Sequence, residues 1–302
     1  MRIDPLSYSG QYRHLGFVFL AFLFVMISAI PPRAVALTFD EIQEKGEIIV
    51  AVYRDFPPFS YRDANGTLVG IDVDIAAQIA NSLDVRLTVF ELTADETVQD
   101  DLRNAVWKGH YLGGLVADVM LHVPYDRAFS LQNNQVFFFG AYLEEAIHLT
   151  WNPDTVGAKP TLAVFRFEKI GVELDTLADF ALTSFNGGMI RENVLHYRTI
   201  EEAAQAMRAG EVQAILATRS QLDHAFHADA VKPPVGPVLL SGVAKPKWLI
   251  GAAVKHTYRQ LGYAVGDILA AMVNDGTMEQ IFAKHGITYR PPPDSLLGAT
   301  AQ

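Results

Sequence analysis

Four side chains of distinct chemistry, His122, Tyr125, Asp126 and Arg127, follow directly on a short apolar run at 119–121. Such a run has the composition of a strand buried on both faces. Pro124 is expected to stop it, because proline cannot continue a central strand. Ligand groups collect at strand ends in open α/β sheets. Arg127 is therefore expected to hold an anionic ligand, since a guanidinium forks onto a carboxylate and stays charged when water is removed. The competing structural role is a surface pair with Asp126, which would stabilise little.

Other chemistry-bearing patterns are weaker. His224 and His227 lie three apart beside Asp223, but nothing resembles H-E-x-x-H, and such a pair is expected on a solvated helix face. Gly113-Gly114 is not followed by the lysine and hydroxyl of a phosphate-binding loop, so it signals chain flexibility. The Gly-x-Ser-x-Gly of an acyl-transfer nucleophile is absent, and there is no cysteine for thiolate metal sites or disulfides. No metal and no cofactor is expected.

The elements that must position these groups alternate. A helix is predicted at 39–45, a buried strand at 47–52, an aromatic loop at 53–61 and a turn at Asp63-Ala64-Asn65-Gly66. A helix at 71–83 puts Ile71, Ile75, Ile79 and Leu83 on one face, with a strand at 86–92, a helix at 98–106 and a strand at 117–121 after it. An apolar segment at 136–142 and an extended one at 146–151 precede a breaker-rich stretch at 152–160. A second unit then offers strands at 170–174, 194–197 and 212–216 and helices at 177–185, 200–209 and 221–227. After the proline-rich 232–237 come a strand at 249–254, helices at 258–274 and 278–285, and a loose tail from 291. This is the rhythm of a parallel α/β sheet, twice over.

The chain has 302 residues, 50% of them hydrophobic, enough for two cores. A net charge of −10 excludes a broad basic face for nucleic acid or acidic lipid. Arg2, Arg13 and His14 precede an apolar run at 15–30, and Ala34-Val35-Ala36 offers small residues for cleavage. That is the layout of a secretory leader at 1–36, shorter than the roughly 20 apolar residues of a spanning helix.

The succession resembles the family 3 solute-binding proteins, the periplasmic receptors of polar amino acid ABC transporters. The residues that carry the likeness are 50–59, the Leu68-Val69-Gly70-Ile71-Asp72-Val73-Asp74-Ile75-Ala76 segment, Ala117-Asp118-Val119, Asp126-Arg127-Ala128-Phe129-Ser130, and the closing 269–282 with Asn274-Asp275-Gly276-Thr277. The resemblance implies a type II-like, two-lobed periplasmic binding protein of α/β class, with a ligand cleft between lobes that close by a hinge. Lobe 1 would be 37–148 plus 249–290, lobe 2 would be 149–248, and 291–302 a tail. Arg127 matches the arginine that grips the ligand carboxylate in that family. Tyr53 and Phe56 fall where its members place groups that cover the ligand, as suits a small-molecule cleft. Phe59 is expected in the core. Asp72 and Asp74 flank a helix start, where acids favour the helix dipole, and are expected to be structural.

Two departures bear on the ligand. Thr218 stands where α-amino acid binders carry the aspartate that receives the ammonium group, and a neutral hydroxyl cannot replace that charge. Of the loop that presents backbone N–H groups to the carboxylate, only Thr176 matches, with Asp175 before it. His122 and Pro124 replace the usual hydroxyls; His122 is open to either a ligand contact or a core role. The resemblance implies a periplasmic, monomeric, non-enzymatic receptor that passes a small carboxylate-bearing solute to an ABC permease. Two alternatives stand beside it. One is an accessory protein of a periplasmic quinoprotein (methanol-type) dehydrogenase, motivated by the missing ammonium anchor and the extra loop at 107–116. The other is a cyclohexadienyl dehydratase-like enzyme with Glu173 as general acid.

Overall fold

The computed structural model describes residues 39–240 and 245–296. The expected leader lies outside the described residues, as does the end of the tail. No helix among the described residues is long and apolar enough to cross a membrane.

In chain order the elements are α1 (Phe39–Lys45), β1 (Glu47–Tyr53), β2 (Tyr61–Arg62), β3 (Leu68–Val69), α2 (Ile71–Ser82), β4 (Arg86–Leu92) and α3 (Val98–Leu102), which runs on as a π-turn over Arg103–Trp107. Then come β5 (Val119–Pro124), α4 (Arg127–Gln132), β6 (Val136–Trp151), α5 (Pro153–Val156), β7 (Ile170–Glu173), α6 (Leu177–Ser184), β8 (Val194–Tyr197) and α7 (Ile200–Arg208). The series ends with β9 (Ala214–Thr218), α8 (Arg219–Ala225), β10 (Val235–Gly236), β11 (Lys247–Lys255), α9 (Arg259–Asn274) and α10 (Thr277–Lys284).

The strands follow the hydrogen-bonded order β4-β1-β5-β11-β6-β9-β7-β8, with β10 on β6 and a separate β2–β3 hairpin. β1 runs parallel to β4 and β5, and β7 runs parallel to β8 and β9. The purely parallel expectation fails at the centre, where β11 is antiparallel to both β5 and β6. Strand direction there is set by a long-range return of the chain, which local residue patterns do not encode. The two extended pieces predicted at 136–142 and 146–151 are one 16-residue strand, β6. Its first part pairs β11 and its last part, from Ile147, pairs β9.

Four apolar clusters account for the burial. Two cover opposite faces of the first set of strands: one gathers Ile75, Ile79, Phe139 and Leu269, the other Leu102, Val106, Met120 and Phe138. Two more do the same around β7 and β9, one with Phe165 and Leu182, the other with Ala203 and Leu222. Strands covered on both faces by helices need continuous rather than alternating apolar runs, which is what 50–52 and 214–217 supply. Each set of strands thus has its own core, the two-lobed α/β arrangement.

Pro124 ends its strand, as expected. It is the last residue of β5, opposite Ile250, and the next amide, Tyr125 N–H, donates to Leu249 O at 2.8 Å. The proline rung lacks a donor, and one backbone hydrogen bond follows it before the chain leaves the sheet.

Candidate functional site

The carboxyl ends of the parallel strands carry two neighbouring cavities. The larger, about 540 Å³, is lined by residues at the ends of β1, β4 and β5, with Trp248 and Ile250 of β11. The smaller, about 300 Å³, lies at the ends of β7 and β9. Phe56 and Trp248 line both.

Tyr53 ends β1 and lines the larger cavity. Its hydroxyl donates to Asp101 Oδ2 at 2.8 Å, and Asp95 N–H donates to Oδ1 of the same carboxylate at 2.7 Å. Asp101 is buried, and desolvation pushes its carboxyl up from the ordinary range even as these donors pull it down. Burial, and then the Asp101 charge, push the Tyr53 hydroxyl up, so it stays a neutral donor. Asp55, Asp95 and Glu96 also line this cavity, against one guanidinium, Arg54. The cavity is acidic.

Phe56 is held by a backbone bridge to Ser60. It stacks on Phe59, whose ring centroid is 5.2 Å away and whose side chain is fully buried. Both rings abut His122, at 4.9 and 4.1 Å. His122 has φ 58°, a left-handed conformation within β5, and the pairing of β5 with β11 slips between Gly251 and Ala253 beside it. Bulges of this kind re-aim side chains near functional sites. Here the slip turns the ring toward the larger cavity, which it lines.

Behind the ring lies a network that the sequence did not disclose. The Tyr142 hydroxyl accepts from His122 N–H at 3.0 Å and donates to Asp72 Oδ1 at 2.9 Å. The other oxygen of Asp72 is 3.1 Å from His122 Nδ1. Asp72 is completely buried. A carboxylate can only accept, so Nδ1 carries the proton and Nε2 is the nitrogen left for a solute. Asp72 is structural, as expected, but through this network more than through the helix dipole. Tyr142 was missed outright. Its one sequence signal is a polar hydroxyl within the apolar segment at 136–142.

In the smaller cavity Thr176 and Thr218 are helix N-caps. The Thr176 hydroxyl accepts from Asp179 N–H at 3.2 Å and donates to Glu173 O at 2.8 Å. Thr218 forms a capping box with Gln221. Glu173, at the end of β7, completes the polar lining. It accepts from Gln221 Nε2 at 3.0 Å, and burial, aided by the charge of Glu201, pushes its carboxyl up to about 7.

Arg127 differs most from expectation. It is the exposed first residue of α4 and lines neither of these two cavities. Nor does Asp126 serve as its partner. That carboxylate caps α4 by accepting from Phe129 N–H at 2.9 Å and pairs with Lys245 at 2.5 Å. Arg127 opens the helix three residues after Pro124, outside both cavity linings. The structure brings Tyr53, Phe56 and His122 together on one cavity and Phe56, Thr176 and Thr218 on the other.

Residues 48–106 match the model of the bacterial extracellular solute-binding proteins, family 3. The chain is 25% identical over 251 residues to the L-cystine-binding protein TcyJ of Escherichia coli (strain K12), covering 81% of this chain and 84% of that one. It is 37% identical over 90 residues to the cyclohexadienyl dehydratase of Pseudomonas aeruginosa, covering 30% and 33% respectively. Among solved structures, an ancestral cationic amino acid solute binding protein superposes with a TM-score of 0.64 at 19% identity. That match covers 82% of this chain and 99% of the other, and shows the shared two-lobed fold.

Proposed function

We propose that this divergent relative of the family 3 solute-binding proteins is an exported receptor that captures a small solute between its lobes and passes it to an ABC permease, with no chemistry of its own. The observation that carries the reading is that Phe56 and Trp248 line both cavities, so one solute lying against them touches both sets of strands. Lobes divided at 37–148 plus 249–290 and 149–248 would share β6 as a continuous hinge strand. The solute bears a carboxylate to which His122, with its Nδ1–H on Asp72, donates from Nε2 in the doubly protonated form of the ring, and Arg127 reaches in as the cleft closes.

Isothermal titration of the purified protein against amino acids and organic acids tests this. Saturable one-to-one binding of at least one carboxylate-bearing solute, weakened about tenfold or more in His122→Ala, is the expected result. Silence across the panel by folded protein overturns it. Export through residues 1–36 predicts a periplasmic protein that begins at Leu37, which intact-mass measurement reads directly.

A dehydratase reading is favoured by one observation, the Glu173 carboxyl that is still half protonated near neutrality in a solute-sized cavity. It requires product from arogenate or prephenate, lost in Glu173→Gln. Absence of turnover leaves the receptor.

A further inference from the structure

A third cavity, of about 440 Å³, adjoins the larger one. One of its walls is the end of β4 and the chain just after it, 90–95. The other is the loop past the π-turn, with His110, Gly113, Gly114 and Leu115, which belongs to the extra stretch at 107–116. Arg54, Ala94 and Asp95 line both cavities, so the two meet at the Arg54 side chain. The charged acceptors of the third cavity are already engaged. Glu91 pairs with Arg62, and Asp95 accepts from Glu96 N–H at 2.9 Å and from Asn104 Nδ2 at 3.0 Å. Its donors are not engaged. Among the described residues no carboxylate pairs with the Arg54 guanidinium, and nothing bonds the Thr93 hydroxyl. His110 Nδ1 accepts from Leu112 N–H at 3.2 Å, which places the ring proton on Nε2. A guanidinium, an imidazole N–H and a hydroxyl around one cavity call for an ionised oxygen group, onto which the guanidinium can fork.

The geometry points to an anion subsite outside the cleft: the cavity under the 107–116 loop receives a second, distal carboxylate of the solute, with Arg54 as its counter-ion and His110 as a donor. This inference rests on the receptor reading above and names the class of its solute, a dicarboxylate with an apolar spacer. Charge favours that division. Asp55, Asp95 and Glu96 repel a second carboxylate from most of the larger cavity, and the one guanidinium there is Arg54. Past Arg54 the way leads under the loop. A spacer of methylenes suits the larger cavity between the two ends, since Phe56, Val98, Trp248 and Ile250 are among its walls. The first carboxylate stays with His122, which lines the larger cavity alone.

Three pairs of probes differ only in the second carboxylate: pentanoate and glutarate, heptanoate and pimelate, nonanoate and azelate. Titration calorimetry at about pH 7 is expected to show at least one diacid binding roughly tenfold or more tighter than its monoacid. That preference should vanish in Arg54→Gln and fall about fivefold in His110→Ala. Both side chains are exposed, so both variants should fold. Each pair shares the first carboxylate, so the charge state of His122 cancels in the ratio. Equal binding within every pair, or a preference that survives in Arg54→Gln, overturns the subsite and leaves the receptor intact. A preference lost in Arg54→Gln but untouched in His110→Ala places the second carboxylate in the larger cavity and overturns the subsite as well. If all six probes are silent while an amino acid or another organic acid binds, the dicarboxylate class falls and the receptor stands. Silence across that whole panel overturns the receptor reading and the subsite with it.

Discussion

Asp72 shows how much one buried carboxylate can organise. Its two oxygens hold the Tyr142 hydroxyl and the His122 ring, and its own N–H donates to Phe59 O at 2.8 Å, tying α2 to the aromatic loop. Replacing Tyr142 by Phe leaves an Asp72 oxygen and the His122 N–H without their partner in a buried setting. A loss of roughly 2–3 kcal/mol is expected, read as a lower urea midpoint with an unchanged slope. Glu173 predicts the opposite sign. Its carboxyl is raised from 4.5 to about 7 in the folded chain, so between those values the folded state binds more protons than the unfolded one. Stability falls as pH rises across that window, because ionising the buried carboxyl opposes folding. Glu173→Gln should therefore raise the ligand-free melting temperature at about pH 8, by the equivalent of about 1–2 kcal/mol once partial solvent screening is allowed for. Below about pH 4, where the carboxyl is protonated in both states, the two proteins should melt alike.

The elements were largely legible from spacing. α1, β4 and β8 stand at the residues that periodicity picks out, and the helix predicted at 71–83 is α2. Long range is where legibility ended. That β6 is one strand shared by two sets of partners, and that β11 enters the centre antiparallel, depend on pairings between residues 63 to 133 apart. The site divided the same way. Tyr53, Phe56, His122, Thr176 and Thr218 all line a cavity, held by strand ends, caps and the bridged aromatic loop, whereas Arg127 opens the helix after the strand and its exposure was not readable. The neighbours of Glu173 were invisible because Gln221 approaches it from 48 residues away. Gly70 supplies the element-scale prediction. It sits at φ 134° before α2, and a Cβ there would lie 2.2 Å from Phe59 O. Gly70→Ala must push the aromatic loop away, displacing Phe56 and Phe59 from His122. Destabilisation of about 2 kcal/mol or more is expected in a urea titration, together with weakened solute binding. Unchanged affinity would mean that the loop does not shape the cleft.

At the scale of the whole molecule, the two sets of strands are joined by more than β6. α8, which follows β9, reaches the residues after α10: Asp223 Oδ2 accepts from Thr288 N–H at 3.1 Å, and the Ser220 hydroxyl accepts from Arg290 Nη2 at 3.1 Å. His224 on the same helix lies 3.4 Å from His285 O through Nδ1 and packs edge-on against Tyr61. Desolvation lowers the His224 pKa from 6.5, with His227, just past the end of α8, and His285 adding like charge, and it is opposed by the His285 carbonyl and Glu201 of α7. Asp74 of α2 pairs with Lys284 and lies 2.8 Å from His285 Nε2 on the far side. A depressed imidazole pKa means that the folded contact binds fewer protons than the open one just below the ordinary value. The contact is therefore fully stable above that value and weakens as pH falls through it. Hydrogen exchange at the Thr288 amide, corrected for its intrinsic rate, should accelerate between about pH 7 and pH 5, and His224→Gln should flatten that response. Equal protection factors at both pH values would show that α8 stays docked whatever the charge of His224, leaving β6 as the element about which any closure of the cleft must turn.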